Sequence, residues 1–445
     1  MKLEELKKKI DAKTARLAVI GLGFVGLPVA AMFAAEGFDV TGVEIRQERV
    51  DKINRGISPI EGKEPGLAEL LAKVVAQKKL RATSSYQDLV DCDIILIDVE
   101  TPVDDQDHAP RYEALGAALR SLGKVLKDGA LVIVESTIAP GTMQTFVLPI
   151  LEENSQRRLN EGFYLGCCPE RVMPGKLLAN LRNLSRVVGG GSPETAATMQ
   201  ALYRHVVNAD LDTADWITAE LVKTTENAYR DVQIAFANEV ALICEALGGD
   251  VWKVRQLVNK SPYRNMHLPG AGVGGHCIPK DPWLLAYSVR DRDVPLHVIP
   301  SARAVNDNMP VYLANLTAKL LREAGKRIED ARILVLGYSY LEDSEDTRNS
   351  PSEILIQKLT GLGGKVAVHD PYVAEYQGDV YQKAAGCDAA IIMVAHSTYK
   401  ELDFRQLQAV MRTPLLVVAR PLFNEQQLEH ARQYFSHLHQ IGVGR

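Results

Sequence analysis

The chain has 445 residues, 46% apolar and 24% charged, with a net charge of −5. That length exceeds one ordinary core and implies two or three domains of a soluble globular protein. No basic excess invites nucleic acid or an anionic membrane, and no apolar run approaches the roughly 18 residues of a membrane span.

The N-terminal segment lacks the apolar core of a signal peptide. Leu3, Leu6 and Ile10 suit a short amphipathic helix instead. Candidate strands follow at Arg16–Ile20, Val40–Val43, Asp93–Ile97 and Leu131–Val134, with helical patterns over Leu27–Glu36 and Tyr112–Leu126. That alternation predicts a parallel sheet with helices on both faces. Residues 214–247 hold neither Gly nor Pro. As one helix they would span about 50 Å, a spine suited to joining two domains and pairing with another subunit. Two ordinary helices broken near Arg230 are the alternative. A charged linker is expected at Arg322–Ala331. Strands at Arg332–Leu336, Lys365–His369, Ala389–Val394 and Leu415–Val418 then predict a second, smaller α/β domain. Six cysteines in so long a chain make no disulfide framework, so reduced thiols in the cytoplasm are expected. The adjacent pair Cys167-Cys168 has no zinc-like spacing, and no residue is read as a metal ligand.

The first strand runs into Gly21-Leu-Gly23-Phe-Val-Gly26, and a helix follows. Gly21 permits the tight turn, Gly23 lets backbone approach a pyrophosphate, and Gly26 allows close packing of helix on strand. The helix N-terminus adds free N–H groups and positive dipole for the phosphates. Glu44 ends the next strand, where a carboxylate accepts hydrogen bonds from a ribose diol and repels a 2′-phosphate. NAD is therefore the expected cofactor; Arg46 and Arg49 are the residues that NADP would use. The loops Val99-Glu-Thr101-Pro102 and Glu135-Ser-Thr137-Ile-Ala-Pro-Gly141 also lie at strand ends where ligands bind in such sheets.

Residues 270–282 place Cys277 behind a glycine-rich loop, with Lys280 and Asp281 just after it. A thiol so placed can be activated by nearby positive charge, although a lone cysteine is more often a small buried hydrophobe. Glu220, Lys223 and Asn227 share one helix face, which a solvated charged surface would equally explain. Pro169-Glu170-Arg171 sets an acid beside a base ahead of turn residues.

In combination these motifs resemble the UDP-glucose/UDP-N-acetylmannosamine 6-dehydrogenase family. They are Gly21-x-Gly23-x-x-Gly26, Glu135-Ser-Thr137, Pro169-Glu170-Arg171, Lys223-x-x-x-Asn227, Gly-Gly-His-Cys277-x-x-Lys280-Asp281 and Asp346-Thr-Arg348-Asn-Ser-Pro351. The resemblance runs from about Arg16 to the C-terminus. Cys168-Pro-Glu-Arg and Gly-Gly-His-Cys277 are similar to the branch acting on N-acetylated sugars, with UDP-N-acetyl-D-mannosamine foremost, then UDP-N-acetylglucosamine or UDP-glucose.

The resemblance implies two Rossmann-like doubly wound domains joined by a long central helix with a helical dimerisation region. Residues 1–200 would bind NAD, 201–320 form the central helical region with the catalytic cysteine, and 321–445 bind the UDP-sugar. It implies a four-electron oxidation at C6, with Cys277 as nucleophile. Lys223, Asn227 and Asp281 would surround the C6 oxygen, and Glu170 with Thr137 would assist hydrolysis of a thioester. Gly21, Gly23, Phe24, Val25, Gly26, Glu44, Arg49, Thr101, Thr137, Lys280 and Arg348 would hold the cofactor. Glu170, Arg171, Lys223, Asn227, Gly274 and Arg420 would hold the sugar nucleotide, with Arg264 lent to a neighbouring subunit of a homodimer or larger homo-oligomer. The chain departs from the family pattern at Glu100, Leu341, Val418-Ala419 and, conservatively, Glu44. A two-electron dehydrogenase, and a silent sugar-nucleotide binder, are the rival readings.

Overall fold

Alternate residues of β1 (Arg16–Ile20) enter different cores, Leu17 and Val19 on one side and Ala18 and Ile20 on the other. This is the period-two signature of a strand covered on both faces. The structure is a computed structural model and describes residues 2–60, 62 and 64–444. The chain forms two units, one of Met1–Glu226 and Trp283–Val294, the other of Asn227–Pro282 and Pro295–Arg445.

The first unit holds an eight-stranded sheet. Its strands after β1 are β2 (Asp39–Val43), β3 (Leu80–Thr83), β4 (Ile94–Ile97), β5 (Ala130–Val134), β6 (Phe163–Cys167), β7 (Arg186–Gly190) and β8 (Leu211–Asp215). Their order is β3-β2-β1-β4-β5-β6-β7-β8. The order reverses at β1, so the β1/β4 edge is the switch point where such sheets bind ligands. The expected all-parallel sheet is corrected at one seam. β6 and β7 run antiparallel, paired only through Gly166 with Gly190 and Cys167 with Gly189. A Cβ on Gly166 would lie 2.2 Å from Met199 Sδ, so this close seam needs residues without side chains. The N-terminal helix Leu3–Asp11 forms as its pattern predicts and buries Leu6 and Ile10.

Residues 216–247 form one unbroken helix of 32 residues, Trp216–Leu247, which carries the chain from the first unit into the second. There is no break at Arg230. In the second unit a five-stranded parallel sheet has the order β10-β9-β11-β12-β13. Its strands are β9 (Arg332–Leu336), β10 (Lys365–His369), β11 (Ala389–Ile392), β12 (Leu415–Val418) and β13 (His437–Gln440). Ile333 and Val335 again face one core and Leu334 and Leu336 the other. The expected linker is partly helix: Arg322 and Glu323 close the Val298–Glu323 helix, and Ile328–Asp330 make a 3₁₀ turn.

Candidate active site

In the first unit the glycine turn is tight. Gly21 has φ +93°, and a Cβ there would lie 2.5 Å from the Asp98 carbonyl oxygen. A Cβ on Gly26 would lie 2.0 Å from Gly21 O. Gly23 has nothing within 4 Å of its would-be Cβ. The loop is therefore closed beneath and open where a phosphate would sit, and the Gly26–Ala35 helix begins there, with Val25 at its N-cap. Glu44 is buried, accepts from the Arg46 N–H at 3.0 Å, and pairs with Arg49 Nε at 3.1 Å. Arg49 Nη2 also donates to Leu22 O at 2.8 Å, which ties the acidic strand end to the glycine turn. A cradle of this shape, with a carboxylate at the end of β2, fits NAD.

The two neighbouring strand-end loops are stitched together. Thr101 Oγ1 donates to Thr137 O at 2.6 Å, and Ser136 Oγ donates to Val99 O at 2.6 Å. Glu220 braces the second loop, accepting from the backbone N–H groups of Gly141 and Met143 at 2.8 Å each. Burial pushes the Glu220 carboxyl up to about 7 against those bonds. Lys223, one turn on, is buried and lines a small pocket with Pro169, Arg171 and Glu226. Arg171 pairs with Glu226 and donates to Ser185 Oγ at 2.8 Å, so its guanidinium has protein partners.

A polar cluster lies at the ends of β4, β5 and β6, joining Glu135 and Glu170 to Asp98, Arg186 and Tyr203, which sequence reasoning missed. Glu135 Oε1 accepts from Tyr203 Oη at 2.8 Å and Arg186 Nη1 at 3.2 Å. Both oxygens of Asp98, Oε2 of Glu135 and Oε2 of Glu170 are shielded without a hydrogen-bond donor. Burial, then Glu135, holds the Asp98 carboxyl well above the usual range. The signal was an acid closing the apolar run 94–97.

In the second unit Cys277 opens the Cys277–Tyr287 helix and is half-buried, whereas the other five cysteines are buried. Lys280 and Asp281 lie in the same helix and are buried, with Lys280 Nζ 3.3 Å from Asp281 Oδ1. Asn227 Nδ2 donates to Asp281 Oδ2 at 2.5 Å. Tyr340 and Arg348 interact electrostatically with Cys277. His276 is held down to about 4 by burial and then by Lys280 and Arg348, so it is neutral near pH 7.

The loop before Cys277 is pinned to the second sheet. Asn349 Nδ2 donates to Gly275 O at 2.9 Å, and a Cβ on Gly274 would lie 2.5 Å from Tyr340 Cβ. Gly274 thus serves close packing. Arg420 Nη2 donates to Gly272 O at 2.8 Å and Nε to Met393 O at 3.3 Å. Arg348 is paired with Asp346, and its backbone carbonyl accepts from Gly275 N at 2.9 Å. Arg264 is exposed, and its Nη1 donates to Tyr263 O at 3.4 Å. Leu341 is exposed over 36% of its surface, while Val418 and Ala419 are fully buried. Among the described residues no cluster of His, Cys, Asp or Glu could hold a metal ion, and no helix is long and apolar enough to cross a membrane.

A dinucleotide cradle on a doubly wound sheet, together with a half-buried helix-terminal thiol beside Lys280 and Asp281, defines an NAD-dependent oxidoreductase. Residues 15–207, 217–308 and 334–425 match the NAD binding, central and UDP binding domains of the UDP-glucose/GDP-mannose dehydrogenase family. A UDP-N-acetyl-D-mannosamine dehydrogenase of Pyrococcus horikoshii is 37% identical over 92% of this chain and 96% of its own. The solved structure of the Pyrococcus horikoshii UDP-D-ManNAc dehydrogenase superposes with TM-score 0.90 at 36% identity, over 96% of this chain and 99% of that one. The NDP-N-acetyl-D-galactosaminuronic acid dehydrogenase of Methanosarcina mazei superposes with TM-score 0.87 at 34% identity, over 100% and 98%. The chain belongs to the UDP-glucose/GDP-mannose dehydrogenase family, and NAD is its cofactor.

Proposed function

We propose that this chain oxidises the C6 alcohol of UDP-N-acetyl-D-mannosamine to the uronate. The observation that carries the reading is Cys277, the one half-buried thiol, at a helix start beside Lys280 and Asp281. The motif versions around Glu170 and Cys277 and the names of the relatives support the N-acetylated sugar.

NAD+, held by the glycine turn and Glu44, would supply the hydride acceptor for each of two oxidations. Lys223, Asn227 and Asp281 surround the C6 hydroxyl and an ordered water, and that water or Lys223, assisted by Asp281, takes the hydroxyl proton as the alcohol becomes an aldehyde. The Cys277 thiol adds to the aldehyde, giving a thiohemiacetal, and the second oxidation leaves a thioester. Glu170, with Thr137, orients water, whose oxygen bonds to the thioester carbon as the C–S bond breaks. The carboxylate leaves and the thiol regains its proton. Retaining the aldehyde on sulfur couples the two oxidations within one site.

Phe24, Val25, Lys280, Arg49, Thr101 and Arg348 complete the cofactor contacts in this reading, and Arg171, Gly274, Arg420 and a partner's copy of Arg264 complete the sugar-nucleotide contacts. The corresponding segments are 1–200 for NAD, 201–320 for the central region and 321–445 for the UDP-sugar. Tyr229, Phe236, Ile243 and Leu247 stand exposed on the Trp216–Leu247 helix at spacings of one face, which supports a homodimer. Six free thiols support a reducing, cytoplasmic setting.

The test is a panel of UDP-N-acetylmannosamine, UDP-N-acetylglucosamine and UDP-glucose, scored as NADH per uronate. About two NADH per uronate, highest with the mannosamine sugar, is expected. Uronate formation by Cys277→Ser at the parent rate would overturn the thioester route.

A further inference from the structure

Asp98 packs directly behind the dinucleotide turn. The would-be Cβ of Gly26 lies 2.9 Å from Asp98 Cβ, and that of Gly21 lies 2.5 Å from Asp98 O. No protein donor reaches either Asp98 oxygen or Glu135 Oε2, although all three are shielded from water. Asp98 and Glu135 follow the paired residues Ile97 and Val134 at neighbouring strand ends, and their carboxyl groups act on each other. Two carboxylates in that arrangement repel, and burial deepens the cost. A single proton between them removes the repulsion and joins two of the three orphan oxygens in one hydrogen bond.

The geometry also says where the proton resides. Glu135 already has Tyr203 and the Arg186 guanidinium on Oε1, which stabilise it as the anion. Asp98 has no such donors. Glu170 adds negative charge from the loop after β6, and Cys168 adds none while it is a thiol, its acidity suppressed by burial. Arg186 is the cation facing the group. The N-terminal end of the Gly26–Ala35 helix offers about half a positive charge to a pyrophosphate, and an ionised Asp98 behind it would cancel that offer.

We propose that Asp98 and Glu135 share one proton, and that Asp98 must be the neutral acid for the glycine turn to bind the NAD pyrophosphate tightly. Asp98 is then a positioning residue that sets cofactor affinity through the charge behind the turn. The inference rests on the NAD site described above and is independent of which sugar is oxidised.

NAD+ binding favours the protonated pair, so affinity is full at low pH and falls as pH rises through the pair's titration. The test is the NAD+ dissociation constant of the full-length protein without sugar nucleotide, from about pH 6 to about pH 9. Titration calorimetry in buffers of different ionisation enthalpy reads proton uptake in the same samples. The wild type should lose about tenfold for each pH unit above the apparent titration point. Asp98→Asn, neutral at every pH, should bind at least as tightly as the wild type and show a flat profile.

A flat wild-type profile without proton uptake would overturn the proposal while leaving the NAD assignment intact. So would an Asp98→Asn profile with the wild-type slope. No NAD+ binding by the wild type at any pH would overturn both. The wild-type profile decides the matter even if the variant fails to fold.

Discussion

The amide of Asn227 lies 2.5 Å from Asp281 Oδ2, joining the long helix to the helix that opens with Cys277. Asp281 is fully buried and has Lys280 on its other oxygen at 3.3 Å. Asn227 is thus the hydrogen-bond donor to this buried carboxylate and Lys280 its ion-pair partner. Asp281→Asn should preserve the fold yet lower kcat by about 10²–10⁴-fold, the usual range for losing a proton-transfer group. Asn227→Ala should in addition destabilise the protein by about 1–3 kcal/mol, since it leaves a buried acceptor short of a donor. Steady-state NADH formation and denaturant melts of both variants check this; an Asp281→Asn enzyme with normal kcat would refute it.

Gly23 and Gly26 should respond differently to alanine. At Gly23 the added methyl meets nothing within 4 Å, so the melting temperature should hold. That methyl occupies the space where a phosphate approaches, so NAD+ affinity should fall about tenfold or more, a cost of about 1.4 kcal/mol. At Gly26 the methyl would lie 2.0 Å from Gly21 O, so the turn itself must shift and stability should fall by about 1–3 kcal/mol. Paired thermal melts and NAD+ titrations distinguish the two.

A buried network holds the loop before Cys277. Arg303 Nη1 donates to Asp231 Oδ1 at 2.6 Å, and Asn306 Nδ2 donates to the same oxygen at 2.8 Å. Asn306 Oδ1 accepts from Asn238 at 2.9 Å, and Asn238 Oδ1 accepts from Gly270 N at 2.8 Å. Asp231→Ala leaves the buried Arg303 with its partly exposed partner Asp307 and takes a hydrogen-bond partner from Asn306, so it should destabilise the protein by about 1–3 kcal/mol. Asn238→Ala frees the Gly270 N–H, and hydrogen exchange at that amide should accelerate ahead of its neighbours in the long helix.

Phe236 is 60% exposed in the middle of the apolar stripe on the long helix. If that stripe is a dimer seam, Phe236→Glu buries a charge against its own symmetry mate and should give a monomer in light scattering. An unchanged mass would remove the stripe from the interface.

Much of the frame was legible because its signals are local. β1, β9, β10 and β12 match the apolar runs at 16–20, 332–336, 365–369 and 415–418 residue for residue. The missed strands β3, β6, β7, β8 and β13 are short, polar or glycine-rich; His437–Gln440 becomes a strand because it completes the edge beside β12. Its hydrogen-bonding neighbour, not its composition, makes it one. The antiparallel β6–β7 seam depends on Gly166, Gly189 and Gly190, which pattern alone reads as loop.

The amino-acid order by itself determined the glycine turn, the acid ending β2, the long helix and the cysteine behind its glycine-rich loop, since each rests on neighbours within a few turns of chain. Only tertiary structure decided that Asp98 comes to rest against Glu135 and that Arg303 and Asn306 converge on Asp231. It likewise decided that Glu220 braces the Gly141 loop and Arg420 the Gly272 loop. Those pairings join residues tens to more than a hundred positions apart. A buried polar group takes whichever partner the packed chain delivers, because leaving it unpaired costs more than any local preference can repay.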